Sequence, residues 1–376
     1  MKKLSKKLIL LLIGVAFICS FAACNGGKED IKTDDEEALQ KIIEQYVNNT
    51  VIRTYRLLSD NAIKLHQACE ALQANKTDAN VQAACKEWIS AREYWEKTEA
   101  FLFGPAGDYN LDPQIDSWPL DKNQLDQILA SDIIQGIDAE YVRNVLGFNL
   151  KGFHAVEYVI FRDGGARAVS DISDVELLYL VAVSETLAQD CILLEASWAG
   201  MDGVTSEKRE ILEELELIPS RNYGNDMMMA GQAGSPYKTV QQACIEIIEG
   251  CIDIADEVGN SKIADPVNTG DVLQVESWYS WNSLDDFTNN IVGIENSYMG
   301  GMEGYRDASL SEYVEKKNAT LNAQIQAKIR DAITAINAIP APFRNNLHNT
   351  EAAQAAMDAC DELVKILSQV EDEVLQ

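Results

Sequence analysis

The chain has 376 residues and a formal net charge of −29, with 60 acidic side chains against 31 basic ones. Such a surface repels phosphates and excludes nucleic acid as a partner, while it favours solubility and draws cations. The length exceeds one ordinary core, so two domains are expected. The eight cysteines form no C-x-x-C pair or zinc-finger spacing.

Residues 1–23 read as a signal peptide: Lys2, Lys3, Lys6 and Lys7 precede an apolar run too short to span a bilayer. Ala22-Ala23-Cys24 resembles a bacterial lipobox, with Cys24 as the lipidated first residue and Phe21 departing from the usual leucine. Loss of the leader would take the net charge to −33. Residues 24–33 are polar and acidic and read as a flexible tether. Lys28-Glu29-Asp30 resembles the export tag of surface lipoproteins in Bacteroides-like bacteria. The expected location is therefore the envelope of a Gram-negative bacterium, as an outer-membrane lipoprotein displayed toward the surface, with the membrane as a partner through the anchor.

The body is read as all-α, two helical-bundle domains packed against each other, covering 34–168 and 169–376. Residues 34–74 form one amphipathic stretch carrying Leu39, Ile42, Ile43, Tyr46, Val47 and Ile52 at helical spacing. A helix over 81–103 returns and stops at Gly104-Pro105. A proline-bearing loop follows, then short helices near 121–130 and 139–145. The second block has helices at 174–199, 235–257, 283–303, 310–338 and 351–374, with surface loops at 219–236 and 262–275. The helix over 81–103 ends in FLFGP and that over 283–299 in SYMGG, a faint internal parallel. Cys69 and Cys85 flank a turn and could form a disulfide, or remain buried thiols.

The chain has three histidines, and His154 stands in LKGFHAVEYVIF, three residues before Glu157. On a helix the two share a face, which suits a divalent metal, a proton-handling pair, or a histidine held by the glutamate in a helix interface. Gly152 lets the chain turn into that helix. Trp88, Arg92, Trp95, Glu99 and Leu102 form one stripe, so Arg92 and Glu99 are either a structural pair or the wall of a site; Glu96 lies off the stripe. Asp116 and Trp118, in a loop stiffened by prolines, either contribute to the site or cap the bundle. Ser283, Asp286 and Asn290 fall near one face, as an N-cap and first turn or as the opposite wall of a cleft. No G-x-S-x-G surrounds Ser283. His66 and His348 read as surface or packing residues.

Together GFHAVE, WISAREYWEKTEAFLFGP, IDSWPLD and SLDDFTNNIVGIENSYMGG resemble the imelysin-like family of bacterial envelope proteins, from about residue 40 to the C-terminus. The resemblance implies two helical bundles with a site at their interface. It marks His154 and Glu157 as site residues and adds Glu99, Asp116 and Ser283 from matching segments. It carries two activities: a peptidase using H-x-x-E as a zinc motif, and a part in iron uptake with uptake partners. H-x-x-E supplies two ligands and no base, short of a catalytic zinc site. The favoured reading is a divalent metal (Fe, Zn or Mn) held by His154, Glu157, Glu99 and Asp116, with Gly152, Arg92, Trp95, Trp118, Ser283, Asp286 and Asn290 lining the cleft. The alternatives are a zinc metallopeptidase, with Glu157 in catalysis, and a binding module using Trp95, Trp118, Trp278 and Trp281.

Overall fold

Four acids crowd the first turn of the opening helix, where unpaired N–H groups favour negative charge, and Thr33 closes that end with Glu36 in a capping box. The computed structural model describes residues 33–375; the expected leader, Cys24 and all of the tether but its last residue lie outside them. The chain is all-α apart from one two-stranded hairpin among the described residues, Phe161–Arg162 with Gly165–Ala166. The first stretch runs as Asp34–Gln45, a π-helical turn Tyr46–Val51, and Ile52–Ala74. Thr77 caps the returning helix Asp78–Thr98, which tightens into a 3-10 turn at Glu99–Phe101 and stops before Gly104.

Several boundaries move from those expected. The helix near 235–257 begins at Val240, where Thr239 caps it, and the helix from Ser283 ends at Tyr298. The 310–338 stretch is two helices, Leu310–Lys317 and Ala319–Asn337, because Asn318 leaves the helical conformation and caps the second. The stretches read as surface loops carry Tyr223–Met228 and Ala264–Thr269. Residue 283 is not the N-cap: Asn282 takes that place. All six described cysteines are buried free thiols, so Cys69 and Cys85 are unbridged.

The helix Asp174–Ala199, expected to open the second block, packs instead on Ile52–Ala74 and Phe153–Ile160. With Asp78–Thr98 these complete the first bundle. By length and composition this helix could cross a membrane, but 83% of its most apolar window is buried inside the protein. It is apolar all round because neighbours cover it on every side. Val240–Glu257, Ser283–Tyr298, Ala319–Asn337 and Thr350–Val374 make the second bundle. The bundles join where Ser283–Tyr298 lies on Asp78–Thr98, and one buried apolar cluster runs through both. Gly293 permits that approach, since a Cβ there would sit 2.7 Å from the Lys97 carbonyl oxygen.

Gly152 fixes the entry to the helix that carries His154. Its φ is 81°, and a Cβ would lie 2.2 Å from the Ile115 carbonyl oxygen, next to Asp116. The Gly152→Ala variant is expected to lose at least about 2 kcal/mol of stability from the strained conformation and the clash. Chemical denaturation measures it, and a loss within about 0.5 kcal/mol would show that the entry is not fixed this way.

Candidate functional site

A guanidinium with no exposed surface must be surrounded by partners, because an unpaired buried charge is costly. Arg92 meets that need with four carboxylates from four parts of the chain. Its Nη2 lies 2.5 Å from Glu96 Oε1, one turn along the same helix, and donates to Glu276 Oε1 at 2.8 Å. Its Nη1 donates to Asp116 Oδ1, and its Nε lies 3.6 Å from Asp286 Oδ2. Glu99 is not the partner of Arg92. It forms an ion pair with Lys262 Nζ at 2.9 Å and accepts from Asn290 Nδ2 at 3.1 Å. Asn290 also bonds Glu96, at 2.7 Å to Oε2, which ties Ser283–Tyr298 to Asp78–Thr98. Ser283 donates to the Glu276 carbonyl oxygen at 2.6 Å and so holds the segment that presents Glu276.

His154 is fully buried beside this cluster. Its Nδ1 is 3.0 Å from Glu157 Oε2, and Glu157 Oε1 accepts from the Ser280 N–H at 2.8 Å and its hydroxyl at 2.7 Å. Both Glu157 oxygens are thus taken, on the side of the ring away from Asp116. Glu157 orients His154 rather than joining it as a second ligand. The other ring nitrogen, Nε2, lies 3.1 Å from Asp116 Oδ1 and 3.9 Å from Glu276 Oε1 without an aligned hydrogen bond to either. Trp95 Nε1 donates to Asp116 Oδ2 at 2.6 Å, and Trp118 stands edge-on to the imidazole at 4.5 Å.

Charge follows from this packing. Burial would lower the His154 pKa, but Asp116 and the bond to Glu157 outweigh it and push the value up to about 9. Burial would raise Asp116, but Arg92 and then His154 hold its carboxyl far below the usual range. Burial raises Glu96 against Arg92, and raises Glu99 against Lys262. Asp286 is pushed up to about 6 by burial despite Arg92.

A cleft of about 660 Å³ opens beside the cluster, lined among others by Glu99, Asp112, Asp116, Glu257, Lys262 and Glu276. Of the residues expected to line a cleft, Trp118 does so. Arg92, Trp95, Ser283, Asp286 and Asn290 are buried behind its wall, and Gly152 packs on Ile115. Trp278 and Trp281 lie outside the lining: Trp278 stacks on Tyr279 beneath Arg344, and Trp281 covers Gly164. His66 bonds Ser184, and His348 is exposed.

One donor atom each from Asp116, His154 and Glu276 fall within 4.8 Å of one another, as do those of Glu96, Glu99 and Asp116. The first set mixes a nitrogen with two carboxylates, and the fully buried Nε2 faces both acids without a hydrogen bond to either. The residues therefore fit a small divalent cation. Sequence reasoning missed Glu276, Lys262 and Ser280 and ranked Glu96 too low. Glu96 was findable as the i+4 partner of Arg92. Lys262, read as the start of a surface loop, lies in the π-helical turn Val258–Ile263 with its side chain largely enclosed, and nothing in the local sequence announces that turn.

The chain belongs to the imelysin family (peptidase M75), whose model matches residues 51–370. It is 29% identical over 334 residues to iron-regulated protein A of Synechococcus elongatus, covering 89% of this chain and 85% of that one. Among solved structures it is similar to a Parabacteroides distasonis protein assigned as an iron-regulated protein A precursor, at 32% identity and TM-score 0.79. That match covers 92% of this chain and 97% of the other. An imelysin-like protein from Psychrobacter arcticum shares the fold at 13% identity and TM-score 0.65, over 89% and 94% of the two chains.

Two consequences are measurable in the metal-free protein. Arg92→Met strands four carboxylates, so about 3–5 kcal/mol of stability should be lost at neutral pH, and part regained on acidification as those acids protonate; equal losses at pH 7 and pH 5 would contradict it. His154 should titrate near pH 9 by ring-nitrogen NMR, against an ordinary value of 6.5. Because the folded value is raised, its stabilising contribution is full below pH 6.5 and is lost as pH rises through about 9. Titration of His154 at or below 6.5 would contradict the ion pair with Asp116.

Proposed function

We propose that this imelysin-family chain is a cell-envelope protein that binds a divalent cation as cargo, iron foremost, at His154, Asp116 and Glu276. The convergence of these three side chains, with His154 Nε2 facing the two acids at 3.1 and 3.9 Å without a hydrogen bond to either, carries the reading. A nitrogen with two hard oxygen donors suits Fe(II), Mn(II) or Zn(II). Glu157 and Ser280 support it from behind, as a carboxylate that orients a metal-binding histidine. The names of the cyanobacterial and Parabacteroides relatives supply the link to iron. The lipobox-like Cys24 and the acidic segment after it support a lipid anchor in the outer membrane, where iron-uptake partners would meet the protein.

The metallopeptidase alternative has less support. A peptidase needs a carboxylate free to take a proton from water, and both Glu157 oxygens are hydrogen-bonded. Ser283 is spent on a backbone carbonyl and is 2% exposed.

Titration calorimetry with Mn(II), Zn(II) and anaerobic Fe(II) tests the reading. One ion per chain is expected, with binding abolished in His154→Ala and Glu276→Ala. Glu157→Gln should weaken it about 10–100-fold, as loss of an orienting partner does. Absence of stoichiometric binding by all three ions, or binding unchanged in His154→Ala, would overturn the proposal.

A further inference from the structure

Lys262 reaches the same carboxylates by a route of its own. Its Nζ lies 3.1 and 3.2 Å from the two oxygens of Glu276, 2.9 Å from Glu99 Oε2 and 3.9 Å from Glu96 Oε2. It therefore holds one of the two cation-binding acids and two of the adjoining set. We infer that Lys262 is a tethered counter-cation, which an incoming divalent ion must displace into the cleft, so that this residue sets the affinity of the site. The inference rests on the reading of His154, Asp116 and Glu276 as a cation site.

An ammonium and a divalent ion at one buried carboxylate repel strongly across the few ångströms between them. One must leave. Arg92 is not the one that moves. It has no exposed surface and is pinned by acids from Asp78–Thr98, Leu111–Asp116, the segment before Asn282, and Ser283–Tyr298. Lys262 is also held by acids, but its side chain is not fully enclosed. It ends a flexible four-carbon stem with rotatable donors and borders the cleft of about 660 Å³. Glu257 and Asp265, on the wall of that cleft, are there to receive it. Lys262 lines that cleft alongside Asp116 and Glu276, so an ion entering from solvent meets it at the acids it must bind. The π-helical turn that carries Lys262 is a distortion often found at functional sites. The buried His154 Nε2, 3.1 Å from Asp116 Oδ1 without a hydrogen bond, is the group that takes the ion in the exchange.

The test uses Mn(II) as the probe on the full chain. Lys262→Met should bind Mn(II) at least about tenfold more tightly than wild type, a modest return of the charge repulsion removed. Reductive methylation read by mass spectrometry needs no variant. Lys262, 8% exposed in its side chain, should react slowly in the metal-free protein and several-fold faster once Mn(II) saturates it. Wild-type binding that is lost in His154→Ala, with Lys262→Met no tighter and Lys262 no more reactive under saturating Mn(II), would overturn the inference and leave the cation site standing. No Mn(II) binding by either wild type or Lys262→Met would remove the cation site itself, and the inference with it.

Discussion

The structure depends on one buried charge. Arg92 cannot lie between two helical bundles without partners, and the four acids it draws come from elements that share no sequence neighbourhood apart from Glu96. Apolar contact between bundles is tolerant of sliding, but a guanidinium with directed donors is not. The arginine therefore fixes where Leu111–Asp116, the Glu276 segment and Ser283–Tyr298 stand around Asp78–Thr98. Asn290 repeats the device with a neutral group, bonding Glu96 and Glu99 together. Placing His154 against Asp116 is then a matter of Gly152, whose backbone lets the helix start against Ile115.

The helical class was legible because its signal is local. Asp174–Ala199 and Ala139–Val145 fall where periodicity and caps put them. Which bundle a helix joins was not legible in the same way. Asp174–Ala199 is apolar on every face, so its sequence carries no direction in which to pack. The polar site shows the same limit. Reading residues 81–103 as one straight helix put Glu99 on the stripe of Arg92, but the helix tightens at Glu99, which turns that carboxylate toward Lys262. His154 and Glu157 do share a face, as their spacing requires, yet spacing could not say that Ser280, 123 residues on, would occupy the glutamate.

The faint likeness between FLFGP and SYMGG takes on physical content in the fold. Both helices end in a glycine of positive φ, Gly104 at 72° and Gly300 at 74°. The two helices lie directly on each other, and both send polar groups into one cluster: Arg92 and Glu96 from the first, Asp286 and Asn290 from the second. The site is thus the place where the central helices of two bundles touch.

A cluster built this way holds more acids than cations, and the excess is managed by burial. Glu96, Glu99 and Asp286 bind protons more readily than free carboxylates do, while Asp116 and Glu276, closest to Arg92, Lys262 and His154, remain ionised. The ionised pair is the pair that converges with the imidazole. Negative charge is thereby concentrated at the three-residue set instead of being spread over the whole cluster. Arg92, Lys262 and His154 balance that set from within the chain. On the proposed reading, stability of the protein and affinity for an ion draw on the same carboxylates, and what strengthens one weakens the other. A lysine at the cleft wall, rather than a second arginine in the core, leaves that balance adjustable.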